Sequence, residues 1–189
     1  MNHEKRLIEI ATVAGGCFWC TEAVFKRLKG VTKAIPGYTG GSLPNPTYQQ
    51  VCSGETEHAE GIQVEFNPQV ISYQTLLEVF FHLHDPTTLN RQGNDVGTQY
   101  RSAIFYHDEK QKQTAQKIIR DVQTKNIYPG KIMTEIVPFK NFFKAEDQHQ
   151  DYYTKNSYQP YCQYVIDPKI TKLYKEFNNL VKPNEKLSS

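Results

Sequence analysis

The stretch Gly15-Gly16-Cys17-Phe18-Trp19-Cys20-Thr21-Glu22 constrains the chain more than any other. An apolar run, Leu7 to Val13, precedes it, and apolar positions at Val24, Phe25 and Leu28 follow with helical spacing. Such a run reads as a strand, the diglycine as a turn, and the spacing of three and four as a helix. Cys17 then falls at or just before the first helical turn, where free backbone N–H groups and the helix dipole favour an anion. A thiol there is expected to ionise more readily than a free one, and the thiolate is the reactive form. Trp19, the single tryptophan, lies two residues on. A poised thiol beside two large aromatics points to a redox or nucleophilic site that also takes something apolar.

Helix one is expected over Thr21 to Lys29, stopped by Gly30, and a second strand over Val31 to Ile35. Pro36 to Gly61 reads as one long irregular stretch, rich in Gly, Pro and Asn. Loops of that length are usually functional or disordered. This one carries Tyr38, Tyr48, Val51, Cys52 and His58, so it is expected to be ordered and part of a site. Ile62 to Phe66 alternates as a strand with one wet face, closed by Asn67-Pro68. Ser72 caps a helix with Tyr73, Leu76, Leu77 and Phe80 on one face. His84 to Gly97 is a loop and Tyr100 to Tyr106 a strand. Asp108 caps a helix that carries Ala115, Ile118, Ile119 and Val122 and runs to about Lys125. Ile132 to Val137 is a further strand, and Ile170, Leu173, Tyr174 and Phe177 mark the last helix.

A β-α-β-β-α-β core order predicts an α+β fold, a two-layer ferredoxin-like sandwich with a split βαβ core and a mixed sheet. Long loops and an irregular C-terminal segment would wrap it. The expected organisation is an N-terminal extension over 1–6, a single catalytic domain over 7–182 and a flexible tail over 183–189.

The net charge is only +2 and no basic stripe stands out, which argues against nucleic acid or an anionic membrane as partner. No secretory h-region and no apolar run of membrane length occur, so a cytoplasmic protein is expected, and a monomer. Four cysteines in such a chain argue for redox, catalytic or metal roles over a disulfide framework.

Cys17-x-x-Cys20 alone admits three readings: a thioredoxin-like redox pair, half of a zinc site completed by Cys52 and His58, or two buried thiols. Cys52-x5-His58 matches a structural zinc site poorly, and no metal is expected. Cys52 reads as a small buried hydrophobe, while Cys162 lies in a segment without helical or strand period. Glu60 and Asp95 have the surroundings of solvated or turn-forming carboxylates. His82 and His84 point about 200° apart on a helix and read as packing or surface residues, not a metal pair.

Taken together, the motifs identify a resemblance. Gly16-Cys17-Phe18-Trp19, Gly37-Tyr38-Thr39-Gly40-Gly41, Asn45-Pro46-Thr47-Tyr48 and Val51-Cys52-Ser53-Gly54 resemble the peptide methionine sulfoxide reductase A family in content and order. So do His58-Ala59-Glu60, His84-Asp85-Pro86-Thr87, Asp95 through Ser102, Ala145-Glu146-Asp147 with His149-Gln150, and Tyr161-Cys162. The resemblance spans Leu7 to Phe177. It implies reduction of the S-epimer of methionine sulfoxide, free or in oxidised proteins, with no cofactor and with thioredoxin as reductant. It further implies Cys17 as nucleophile, Glu60 as acid, and Tyr48, Asp95 and Tyr100 as polar helpers around the sulfoxide oxygen. Phe18 and Trp19 would receive the S-methyl group, and a Cys17 sulfenic acid would be resolved to a disulfide. Cys162 matches the family's Tyr-Cys resolving position, with Cys20 the near alternative. Two positions depart from the family: Cys20 and Glu57 stand where it commonly has glycine. Glu57 would be strained if its backbone needs positive φ, and would raise the pKa of Glu60 if its carboxylate faced inward. The rival classes are a general CxxC dithiol-disulfide oxidoreductase and a zinc-binding structural protein.

Overall fold

The structure, a computed structural model, describes residues 7–183. The expected extension over 1–6 and all of the expected tail beyond Pro183 lie outside the described residues. Strand β1 (Glu9–Gly15) is followed at once by helix α1 (Phe18–Phe25), and then by β2 (Val31–Thr39). Gly16 makes the turn at φ +84°, and a Cβ there would come within 2.6 Å of the Gln92 side chain. A left-handed, crowded turn of this kind is open only to glycine. Helix α1 therefore starts three residues before the expected Thr21.

Helix α2 (Tyr48–Cys52), strand β3 (Ala59–Phe66) and helix α3 (Tyr73–Leu83) come next. The Ser72 hydroxyl caps α3 by accepting from the Thr75 N–H at 3.0 Å. A two-residue ribbon, β4 (Arg91–Gln92) with β5 (Asp95–Val96), precedes β6 (Ser102–Tyr106) and α4 (Glu109–Thr124). Asp108 caps α4, accepting from Gln111 N–H at 2.7 Å. Strands β7 (Glu135–Pro138) and β8 (Phe142–Lys144), helix α5 (Tyr152–Asn156), one π-helical turn (Cys162–Ile166) and helix α6 (Asp167–Glu176) complete the order.

The main sheet is mixed, in the order β7-β6-β1-β3-β2-β8. From β6 through β8 each neighbouring pair is antiparallel, while β7 pairs parallel with β6. Alternation sorts β1 between two faces: Ala11 and Val13 join the large core under the helices, and Ala14 joins Ala59, Ala103 and Phe105 behind the sheet. Helix α6 packs against both α1 and α3, and α4 against α3, β6 and β7.

Two expectations are corrected. The stretch 36–61 is not irregular throughout: β2 runs on to Thr39, α2 follows, and β3 begins at Ala59. β2 survives Pro36 because Gly37 to Thr39 is paired on both sides, by β3 and by β8. The C-terminal segment is largely helical. Among the described residues, no helix is long and apolar enough to cross a membrane.

The register gathers the site. β1 and β2 both end, and β3 and β6 both begin, at the same end of the sheet. Cys17 follows β1, Tyr38 near the end of β2 lies opposite Glu60 on β3, and Tyr100 precedes β6.

Candidate active site

Cys17 occupies the position before the first residue of α1 and is only 6% exposed. Glu60, 1% exposed, turns its Oε2 to accept the Phe18 backbone N–H at 3.1 Å. The carboxyl therefore takes one of the free donors of the helix that carries the thiol. Burial pushes the Glu60 carboxyl up to about 8; the Phe18 N–H opposes this, and the charges of Asp95 and Cys20 reinforce it. Near neutral pH Glu60 is thus a protonated acid, as an apolar, enclosed carboxyl should be.

Cys20 lies one helical turn on, and the two thiols share a hydrogen bond. Burial pushes the Cys17 thiol well above its ordinary value, and Cys20 and Glu60 add to that, with the Tyr161 hydroxyl pulling the other way. Cys20 is drawn down to about 7, chiefly because Cys17 hydrogen-bonds its thiolate, with Lys169 and Tyr161 assisting against burial. Enclosure thus acts against the helix start at Cys17, while the bond within the pair favours the charge on Cys20.

The remaining predicted residues converge on the same spot. Tyr48 and Tyr100 both have their hydroxyls raised, by burial first and then by the nearby Glu60. Glu146 accepts from the Tyr38 hydroxyl at 2.7 Å and from the Tyr48 N–H at 2.8 Å, tying α2 to the sheet. Phe18 is fully enclosed, 5.9 Å from Tyr38 and 5.5 Å from His149 between ring centres. Trp19 is half-buried; Tyr152 stacks on it at 3.7 Å and 7°, and Tyr161 meets it edge-on at 5.7 Å. Asp95 accepts from the Tyr161 hydroxyl at 2.9 Å, and that hydroxyl lies 3.9 Å from Cys20 Sγ. Cys162 is fully buried behind this layer, within electrostatic reach of Cys20.

A buried thiol pair, a protonated carboxyl bonded from β3 to the first N–H of the Cys17 helix, and an aromatic wall make a site for reducing an oxygen-bearing, apolar substrate. The comparisons agree. A family model described as "Peptide methionine sulfoxide reductase" matches residues 9–181. The chain belongs to the peptide methionine sulfoxide reductase family. Peptide methionine sulfoxide reductase MsrA of Saccharolobus solfataricus is 55% identical over 94% of this chain and 99% of its own. Mxr1 from Saccharomyces cerevisiae in reduced form superposes with a TM-score of 0.75, at 38% identity, over 85% of this chain and 92% of its own. Mxr1 in complex with Trx2 matches at a TM-score of 0.54 and 30% identity, over 79% and 88% of the two chains.

Both departures from the family pattern have structural answers. Glu57 has φ +59°, the left-handed conformation that glycine adopts freely, so its backbone is strained. Its side chain is exposed, and it is not among the charges that raise Glu60. Cys20 points at Cys17 and so belongs to the site.

Cys52 corrects another expectation. It is exposed, and its sulfur is hydrogen-bonded by the Tyr48 hydroxyl one turn earlier on α2. His58 cannot complete a zinc set with it, because both its ring nitrogens are engaged, by Gly41 N–H at 3.1 Å and Leu43 O at 2.8 Å. His84 is a packing residue between Phe80 O and the Ser102 hydroxyl, each at 2.8 Å.

Tyr161 and Glu146 are the site residues that pattern reasoning missed. Each sits inside a quoted motif, but only the folded chain shows that one touches Cys20 and the other locks Tyr38 to Tyr48.

Proposed function

We propose that this reductase converts methionine S-sulfoxide, free or in oxidised proteins, to methionine. The observation that carries the reading is the buried Glu60 carboxyl fastened to the Phe18 N–H beside Cys17. A sulfoxide sulfur is a poor electrophile until its oxygen is protonated. Glu60 supplies that proton from one side while Cys17 attacks from the other. The Cys20 thiolate first takes the Cys17 proton across their hydrogen bond. The Cys17 thiolate then bonds the substrate sulfur while Glu60 protonates the oxygen; the hydroxyl passes to the Cys17 sulfur as the S–O bond and the new sulfur–sulfur bond break, leaving a Cys17 sulfenic acid. Methionine leaves. Tyr48 and Tyr100 hydrogen-bond the developing hydroxyl, and Phe18 and Trp19 face the S-methyl group.

The sulfenic acid condenses with the Cys20 thiol to a disulfide and water. Motif matching favours Cys162 for this step, but the thiol–thiol hydrogen bond supports Cys20. Cys162, buried behind Cys20, then exchanges with that disulfide and frees Cys17. The Mxr1–Trx2 complex supports thioredoxin as the dithiol that returns the enzyme to the reduced state.

The strand order β6-β1-β3-β2, with α1 and α3 as crossovers, supports the finer description of the core as a ferredoxin-like split βαβ sandwich. The large core under the helices, which takes residues from Ala11 to Val181, supports a single catalytic domain over 7–182. A cytoplasmic monomer remains our reading from composition. The deciding experiment is a single turnover without reductant: one methionine per enzyme from the S-epimer alone, followed by non-reducing peptide mapping of the Cys17 disulfide. Absence of methionine release would remove the reading.

A further inference from the structure

Trp19 and Glu22 lie three residues apart on α1 and therefore share a face. Along that face runs the chain from Gln150 to Tyr152, held there by a buried carboxylate. Glu22 is 2% exposed, and its oxygens accept from the Asp151 N–H at 2.7 Å and the Tyr152 N–H at 3.4 Å. Lys26 closes the arrangement, 3.8 Å from Glu22 Oε1 and 2.8 Å from Asp151 Oδ1. Asp151 itself is left-handed, at φ +57° and ψ +38°, a conformation that persists in a non-glycine residue only where its surroundings impose it. On the upstream side, the Gln150 amide donates to Pro36 O at 3.0 Å and Ala145 O at 2.9 Å. The next side chain is Tyr152, whose ring lies flat on Trp19.

Buried acids of this kind need a reason. Enclosing a carboxylate is costly unless it is hydrogen-bonded and paired, and a packed apolar residue would serve a merely structural role as well. Here the carboxylate reaches the two backbone N–H groups that fix the position of one ring, and that ring lies against the aromatic that faces the substrate.

The geometry points to Glu22, with Lys26, as a positioning residue of the reductase: by clasping Asp151 and Tyr152 it presses the Tyr152 ring onto Trp19 and fixes the indole as a rigid wall for the sulfoxide's methyl group. The substrate half of this inference rests on the reading of Trp19 proposed above. The clasp acts through Tyr152 and touches no reacting atom, so it governs binding more than the chemical step.

Trp19 is the single tryptophan of the chain, so its fluorescence reads the clasp directly. Glu22→Ala is expected to lower Trp19 anisotropy and to raise KM for methionine S-sulfoxide about tenfold, the scale of one lost wall contact, while single-turnover kcat changes little. Glu22→Gln keeps one of the two acceptor oxygens and should restore part of both. If Glu22→Ala fails to fold, Tyr152→Leu carries the same test, with the same loss of anisotropy and rise in KM. Wild-type anisotropy in the folded Glu22→Ala or Tyr152→Leu protein, or a loss confined to kcat, overturns the inference. A fall in anisotropy in Glu22→Ala with an unchanged KM in Trp19→Ala upholds the clasp and sinks the assignment of Trp19 to the substrate.

Discussion

Glu60 Oε2 and the Phe18 N–H are 3.1 Å apart, and this bond ties the acid to the helix whose start bears Cys17. β3 and α1 are separate elements, and the two bonded residues stand 42 positions apart in the chain. A shift of the acid therefore moves with the nucleophile. The same burial that raises Glu60 to about 8 keeps a proton on the carboxyl beside Cys17 near neutral pH.

Glu60→Gln removes the proton but keeps an acceptor for Phe18. The first turnover should slow by about a hundredfold or more, the range for a lost general acid. In the wild type the single-turnover rate should fall as pH rises through about 8, as Glu60 ionises. Stability follows the same sign. The folded value lies above the ordinary 4.5, so the folded state binds the proton more tightly than the unfolded chain. That contribution is complete below about 4.5 and lost as pH rises through about 8. Glu60→Gln should accordingly flatten the decline in stability over this window, measured by urea unfolding at successive pH values. A normal methionine burst in Glu60→Gln would exclude its role.

Cys20→Ser leaves a hydroxyl beside Cys17 but removes the second ionisable thiol. The first thiol ionisation of the site, near 7 in the wild type, should move up, as read by alkylation rate against pH. The variant should still release one methionine and then recycle poorly with thioredoxin. Cys162→Ser should retain the Cys17–Cys20 disulfide and lose only the later exchange. If Cys162→Ser alone abolishes the disulfide to Cys17, the order proposed for the two cysteines is wrong.

Much of this was readable in the chain, and for local reasons. The β1–turn–α1 unit, the Ser72 and Asp108 caps and the apolar faces of α3, α4 and α6 depend on residues a turn or two apart. The continuation of β2 through Pro36-Gly37 was hidden because those residues read as breakers, while the pairing that rescues them comes from β3 and β8. Helix α2 lies within a polar stretch without an apolar period, although its capping box, Thr47 with Gln50, is local and legible. Glu60 carries no local sign of burial; its enclosure is set by residues far along the chain, and only the family motif singled it out. Cys52 is the opposite case: a cysteine beside valine looks buried, yet it falls at the exposed end of α2.

Glu57 offers a test on stability alone. Its φ of +59° costs a side-chain-bearing residue about 1 kcal/mol that glycine does not incur. Glu57→Gly should relieve that strain, against a somewhat more flexible unfolded chain. The net expectation is a rise in Tm of about 2–4 °C or less. The neighbouring contact, Arg101 Nη2 donating to Glu57 O at 2.9 Å, uses backbone and should survive. A lower Tm would mean that the exposed side chain contributes something the strain argument omits.

Asp95→Asn separates two consequences of one charge. Asp95 holds the Tyr161 hydroxyl at 2.9 Å, and Tyr161 in turn reaches Cys20 and stands edge-on to Trp19. An asparagine can keep the acceptor oxygen, so the orientation of Tyr161 should be largely preserved. The negative charge, however, is lost, and that charge helps to raise Glu60. Glu60 should then ionise at lower pH, and the alkaline fall in single-turnover rate should move toward neutrality. Asp95→Ala removes the acceptor as well and should add a loss of rate below that limb. If the alkaline limb of Asp95→Asn coincides with that of the wild type, Asp95 acts on the site through Tyr161 alone and not through the field at Glu60.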